Sequence, residues 1–278
     1  MIITAQAHFF LKIHFFSCVL PVVFALQSNI IEAQPTPNYI ESEVRDYHLP
    51  DLFLVPNQKK VLSNIYWESF AQAHQFELLE KFVYGRRLPA TAVSVLGSEE
   101  RCNTECDGVP AIRIQATLRL GPNPRSPTTN VLLFVPQSAK KVPVFLKLNF
   151  LGNQAEVTDK DIEITQNWII SKEGNNHATE ATRGTQIRRF PVSSMLGRGY
   201  GLATAHCGDF FPDHKDGRAT SILSSLGRPT GENIPDDEPG AIGTWAWGLS
   251  RILDWLITLP EVDPKRVIVL GHSRLGKA

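Results

Sequence analysis

The sequence predicts an α/β fold, because a helix, a short loop, an apolar strand and a Gly-x-Ser turn follow one another near its end. In residues 241–259, apolar side chains recur at alternating spacings of three and four, and Pro260 ends this helical pattern. The loop at 261–266 leads into an apolar strand at 267–270. This order is typical of a parallel sheet entered by a right-handed crossover.

The preceding segments predict the rest of the sheet. Residues 111–120 alternate apolar and polar side chains, which indicates an exposed antiparallel strand. Strands at 131–135 and 142–150 follow, the latter central and buried, and a short buried strand is predicted at 200–205.

A helix and two long loops complete the prediction. The helix covers 63–83, with Ser63 or Asn64 as its cap and Gly85 at its end. Residues 152–199 are predicted to cross the sheet surface, with a short helix at 193–196. The polar loop at 208–240 is long enough to favour a functional role.

Composition and the N-terminus bound the class of protein. The 278 residues are 42% hydrophobic and carry 28 basic and 28 acidic side chains, so bulk charge indicates no nucleic-acid partner. Lys12 and His14 precede an apolar run at 15–26, which predicts a cleaved export signal at 1–33. An uncleaved anchor is the alternative. We therefore expect a secreted or periplasmic protein, without a membrane contact after cleavage, whose single domain covers 34–278.

Export would place the remaining cysteines in an oxidising compartment. Cys102 and Cys106 lie four residues apart in a polar segment predicted as a loop, and a local disulfide between them is the first choice. Cys207 is then the odd thiol, buried at a strand end. A metal site that uses two of these cysteines is the weaker alternative, because no histidine has zinc-finger spacing from them.

The turn after the last strand carries the candidate chemistry. Gly271 and Gly276 flank Ser273, as in a sharp strand-to-helix turn that presents a nucleophilic serine. The backbone N–H of Arg274 is predicted to stabilise an oxyanion, with the guanidinium beside it, and Lys277 to contact the substrate. The alternative is a chance Gly-x-Ser with both basic side chains solvated.

The partners of Ser273 are not found in the sequence. In hydrolases with this turn an acid and then a histidine follow the serine along the chain, whereas all eight histidines here precede it. His272 points away from the serine and is predicted to be a packing or hydrogen-bonding residue.

Other candidate sites are weaker. A second oxyanion donor is expected in the loop 149–153, and Trp245 and Trp247 are expected in the core. A metal site is an alternative in the loop after residue 205, where a polar strand end explains the same five residues: His206, Cys207, Asp209, Asp213 and His214.

Several motifs together resemble the bacterial glucuronoyl methylesterases of carbohydrate esterase family fifteen. The similarity covers nearly the whole chain after the signal. Its motifs are Gly271-His-Ser-Arg-Leu-Gly-Lys277, Leu148-Asn-Phe-Leu-Gly-Asn153, Arg183-Gly184, Arg189-Phe-Pro191, Arg198-Gly-Tyr-Gly-Leu-Ala-Thr204, Gly208-Asp-Phe-Phe-Pro-Asp213 and 240–251. Gln154, Phe190, His206 and Cys207 depart from the residues usual in this family.

The resemblance implies an α/β-hydrolase three-layer sandwich that cleaves esters between lignin alcohols and 4-O-methyl-glucuronic acid on xylan. Ser273 would be the nucleophile, Arg274 would stabilise the oxyanion and Lys277 would contact the sugar. It implies a monomer without metal or cofactor. Because the family's acid and histidine follow the turn, we expect a truncated chain that folds poorly and lacks turnover. A xylan acetyl esterase and a non-catalytic carbohydrate-binding or decayed module are the alternatives.

Overall fold

The computed structural model describes residues 38–49, 51–55, 59–137, 140–172 and 174–278. The chain divides into two compact units, residues 1–50 and 51–278. The described part of the first unit contains one 3₁₀ turn, Glu41–Glu43. The predicted export signal lies outside the described residues. None of the helices in the described ranges is long and apolar enough to cross a membrane.

The second unit begins with a two-stranded antiparallel ribbon and a helical segment. The ribbon consists of β1 (Leu54–Val55) and β2 (Lys59–Lys60). The helical segment alternates α and π turns, in the order α1 (Asn64–Tyr66), Trp67–Ala71, α2 (Gln72–Leu79) and Glu80–Tyr84. Its predicted ends are confirmed, since the Ser63 hydroxyl accepts a hydrogen bond from the Tyr66 N–H and Gly85 ends it at a φ of 81°.

The remaining strands form one seven-stranded mixed sheet. They are β3 (Val93–Val95), β4 (Glu100–Cys106), β5 (Val109–Leu120), β6 (Thr128–Pro136), β7 (Val142–Asn149), β8 (Gly201–His206) and β9 (Val262–Val269). The order is β3-β5-β6-β8-β7-β9, and β4 also pairs with β5. The pairs from β3 to β8 are antiparallel, whereas β7 is parallel to both β8 and β9. The predicted parallel pairing of the last strand is confirmed.

Helices cover both faces of this sheet. Their bounds are α3 (Val192–Gly197), α4 (Ile222–Ser225) and α5 (Ala241–Leu256). Alternate residues of β6 enter different cores: Leu133 lies in the core that contains Trp245 of α5, and Phe134 lies in the core that contains Leu196 of α3. The arrangement is the helix–sheet–helix sandwich of an α/β-hydrolase. The predicted burial of Trp245 and Trp247 is confirmed.

Three predictions about the elements are wrong in detail. The segment 100–106 is strand β4 and not a loop, because Asp107 and Gly108 both have positive φ and form a tight two-residue hairpin turn into β5. The predicted solvent face of β5 is only half-exposed, since Arg113 is buried and pairs with Asp159, and Gln115 and Thr117 are partly covered. Strand β9 begins at Val262, within the predicted loop.

The predicted Cys102–Cys106 disulfide is also wrong. Both residues lie in β4 and both thiols are free. Four residues of extended strand separate their Cα atoms by about 13 Å, and a disulfide requires less than about 7 Å. Cys207 is buried after β8, as predicted, and burial raises its thiol pKa well above 9.0.

Candidate active site

Ser273 lies in a strained turn directly after β9. Its φ is 56°, one of four positive values among the described non-glycine residues, and the side chain is exposed. The turn continues as a 3₁₀ helix, Ser273–Gly276, rather than as a regular α-helix. A sharp turn after a strand imposes a positive φ on its serine, and in this conformation the hydroxyl is exposed.

The two flanking glycines are required because the backbone folds onto itself. A Cβ on Gly271 would lie 2.2 Å from the Leu275 carbonyl oxygen and 2.7 Å from the Gly276 Cα. A Cβ on Gly276 would lie 3.1 Å from the Gly271 carbonyl oxygen. The glycine at the sixth position of the motif is therefore in contact with the first, which explains the spacing predicted from the sequence.

The carboxyl ends of three parallel strands bring the site together. Strand β9 leads to Ser273, β7 ends at Asn149 and β8 ends at His206. Because β8, β7 and β9 are neighbours and parallel, the segments after them emerge at the same edge of the sheet. Ligands of open α/β sheets bind at such an edge.

The turn after β7 is held by a buried amide network. Asn149 donates from Nδ2 to Asn153 Oδ1 at 2.9 Å and to Thr204 Oγ1 at 3.0 Å, and its Oδ1 accepts from the Gly152 N–H at 2.8 Å. Gly152 has a φ of 88°. This network fixes Phe150, whose ring packs edge-on against Trp245 at 6.1 Å.

Arg274 is held by groups from the segments that follow β7 and β8. Its Nη1 lies 2.8 Å from Asp213 Oδ1 and its Nη2 lies 2.7 Å from Asp213 Oδ2, a bidentate ion pair. The guanidinium carbon lies 5.4 Å from the centre of the Phe150 ring. The polar loop at 208–240, predicted to be functional, thus supplies the anionic partner of the residue beside Ser273.

The five residues proposed as an alternative metal site do not converge on one point, although His206 Nδ1 lies 3.5 Å from Asp209 Oδ1. Asp209 accepts hydrogen bonds from Thr129, the Asn130 N–H and Asn167. Asp213 pairs with Arg274, and His214 packs on Trp168 at 4.9 Å. Across the described ranges, no group of three or more His, Cys, Asp or Glu side chains is arranged to hold a metal.

The other predicted residues of the site, His272 and Lys277, do not form a catalytic group with Ser273. No described side chain forms a hydrogen bond with the Ser273 hydroxyl, and the ring of His272 is exposed. Lys277 lines an apolar cavity of about 380 Å³ between α5 and the helical segment at 64–84, together with Trp247 and Leu88. The structure therefore joins Ser273 and Arg274 with Asp213 and Phe150, and places Lys277 against another cavity.

A buried ion pair lies behind the turn after β7. Lys147 Nζ lies 2.7 Å from Glu156 Oε2 and 3.9 Å from the centre of the Phe190 ring, and both charged side chains are 1% exposed. Burial lowers the Lys147 pKa, and the Glu156 carboxylate opposes this shift. This pair ties β7 to the far end of the turn that carries Phe150.

No local pattern in the sequence indicates Asp213 as the partner of Arg274, or Lys147 and Glu156 as a pair. A lysine inside the apolar run at 142–150 was the available signal for the second. Burial of a lysine requires a counter-charge, although its position cannot be read from the sequence.

Comparisons with known proteins agree with this geometry. The family model for fungal glucuronyl esterases matches residues 235–278, which include α5, β9 and the Ser273 turn. A curated carbohydrate esterase from an unknown prokaryotic organism is 34% identical over 254 residues, which are 89% of this chain and 58% of that protein.

Two solved structures are similar over most of the chain. One is described as a promiscuous CE15 esterase from the marine bacterial metagenome, with 32% identity, a TM-score of 0.69, and coverage of 86% of this chain and 60% of that chain. The other is a glucuronoyl esterase from Solibacter usitatus, with 30% identity, a TM-score of 0.74, and coverage of 85% and 60%. The chain thus spans about three fifths of the length of these relatives.

Proposed function

We propose that the protein hydrolyses 4-O-methyl-glucuronoyl esters that link lignin alcohols to glucuronoxylan, because the chain is similar to a curated carbohydrate esterase and to a solved glucuronoyl esterase. One observation carries this proposal. Ser273 has a φ of 56° at the end of a parallel strand, and the next side chain, Arg274, is fixed by Asp213. This is the arrangement expected of a nucleophile beside a preorganised oxyanion donor.

The proposed reaction has two steps. The Ser273 Oγ attacks the uronoyl carbonyl, the tetrahedral intermediate releases the alcohol, and water then hydrolyses the acyl-enzyme to the uronate. The Arg274 N–H and guanidinium stabilise the negative oxygen of the intermediate. The reaction also requires a base that removes the Ser273 proton and delivers it to the leaving alcohol, and no described side chain forms a hydrogen bond with that hydroxyl.

The proposal also concerns location and partners. The apolar run at 15–26 after Lys12 supports export, so that the protein meets a plant cell-wall polymer outside the cytoplasm. We propose that it acts as a monomer without a cofactor. Lys277 is the proposed contact for the sugar hydroxyls on the resemblance alone, because its side chain lines the cavity beside α5 rather than a site shared with Ser273.

The test measures ester hydrolysis by the product of the full reading frame. We expect release of benzyl alcohol from benzyl glucuronate, and a loss of at least about a thousandfold in Ser273→Ala. The matched control is Ser224→Ala, which removes an exposed hydroxyl from α4 and is expected to leave the rate unchanged.

Two outcomes contradict the proposal. Release of acetate from acetylated xylan without cleavage of benzyl glucuronate would favour the xylan acetyl esterase. Absence of both activities in a folded product would favour a non-catalytic module.

A further inference from the structure

We infer that Asp213 makes the site selective for a neutral uronate ester over the anionic uronate, by cancelling the charge of Arg274. This inference rests on the proposed function, because it takes Ser273 and Arg274 as the groups that meet the substrate. Asp213 is then a positioning and specificity-determining residue that acts through Arg274.

The ion pair with Asp213 leaves several hydrogen-bond donors of the Arg274 guanidinium available to a ligand. Asp213 engages both terminal nitrogens of the guanidinium in an end-on pair. This leaves the Nε–H and one N–H on each terminal nitrogen, and the Arg274 guanidinium forms no other hydrogen bond with the described residues. The guanidinium side chain is 52% exposed, so these donors remain accessible to a ligand.

The negative charge of Asp213 cancels the positive charge of Arg274 beside Ser273. The Asp213 side chain is 14% exposed, and among the described residues its carboxylate forms hydrogen bonds and an ion pair only with Arg274. The pair therefore presents hydrogen-bond donors without a net positive charge. A carbonyl oxygen can accept from these donors, whereas a carboxylate is also repelled by Asp213 across the guanidinium.

This selectivity also affects turnover, because the product of hydrolysis is an anion. Hydrolysis of the ester converts a neutral group into a carboxylate at the same place, and an unpaired arginine would hold that carboxylate strongly. Asp213 favours release of the product. Asp213 also reduces the stabilisation of the oxyanion in the transition state. Release of the uronate product is therefore faster, whereas the chemical step is less strongly accelerated.

The expected size of the effect follows from Coulomb's law. A carboxylate bound on the free side of the guanidinium lies about 7 Å from Asp213. With an effective dielectric constant of about 40 at this partly exposed position, the repulsion between the two carboxylates equals about a tenfold change in affinity. Because the site is partly exposed, added salt should reduce that factor.

The experiment measures binding without turnover, in the full chain with Ser273→Ala. Sodium glucuronate and methyl glucuronate are titrated separately by calorimetry or NMR. Asp213→Asn should bind glucuronate about tenfold more tightly, with methyl glucuronate changed by less than about twofold. Asparagine keeps an oxygen that can accept from Arg274, so the change removes mainly charge.

Two controls separate the local pair from general effects. Asp216→Asn removes the same charge from an exposed site three residues along the loop, where the carboxylate is 75% accessible, and should leave both affinities unchanged. Adding Arg274→Gln to Asp213→Asn should remove the gain, because the gain comes from the unpaired guanidinium.

The outcomes distinguish this inference from the proposed function. An unchanged glucuronate affinity in Asp213→Asn, an equal gain for acid and ester, or a lack of binding by every variant would overturn the inference. If the gain is selective for the acid but the enzyme with Ser273 hydrolyses no glucuronate ester, the inference stands and the proposed function fails.

Discussion

The close contact between Gly271 and the turn after Ser273 leads to the sharpest prediction for stability. In Gly271→Ala the new Cβ would lie 2.2 Å from the Leu275 carbonyl oxygen and 2.6 Å from the Leu275 carbonyl carbon. Both are backbone atoms, so the clash cannot be relieved by a rotation of a side chain. The turn or the end of β9 must move.

The cost should lie at the upper end of the range for overpacking, at about 3 kcal/mol. For a chain of this size the melting temperature changes by about 2 °C per kcal/mol, so we expect a decrease of about 6 °C. The measurement is thermal unfolding followed by circular dichroism, together with urea unfolding to obtain the free energy.

Two other glycines provide a graded control. A Cβ on Gly276 would lie 3.1 Å from the Gly271 carbonyl oxygen, a contact that a small shift relieves, so Gly276→Ala should cost about 1 kcal/mol. A Cβ on Gly231 would meet no atom within 4 Å, and Gly231→Ala should change the free energy by less than about 0.5 kcal/mol. If Gly271→Ala is as stable as Gly231→Ala, the described turn is incorrect.

Two further predictions concern buried groups. Glu156→Gln leaves the Lys147 ammonium buried without its counter-charge and should lower the free energy of unfolding by about 3 kcal/mol in urea, whereas adding Lys147→Met should restore part of that loss. Burial raises the Cys106 pKa from 9.0 to about 11, so the folded protein retains a proton that the unfolded chain releases, and stability should fall as the pH rises from 9.0 to about 11. Urea unfolding of Cys106→Ala across that window should show a weaker fall; an unchanged pH dependence would contradict the assignment to Cys106.

The parts of the fold that were predicted correctly are those with local signals. The periodicity of 241–259 identified α5, and two glycines around a serine identified a turn whose φ of 56° the structure supplies. Both signals arise from residues within one or two turns of each other, which is why the sequence displays them.

The errors have equally specific causes. The spacing of Cys102 and Cys106 suggested a loop with a disulfide, although Asp107 and Gly108, which connect β4 to β5, are the residues of a tight hairpin turn. Arg274 and Asp213 lie 61 residues apart. No local pattern connects them, and only the parallel order of β8, β7 and β9 brings the two segments to the same edge of the sheet.

The assignment of Ser273 as the nucleophile is tested most directly by identifying the residue that reacts with a fluorophosphonate, a reagent that modifies activated serines. The product of the full reading frame is labelled, digested with trypsin and analysed by mass spectrometry. We expect one adduct, on Ser273 in the peptide between Arg266 and Arg274, and its loss in Ser273→Ala. An adduct on another serine such as Ser193, or no adduct on the folded protein, would contradict the assignment of Ser273 as the nucleophile.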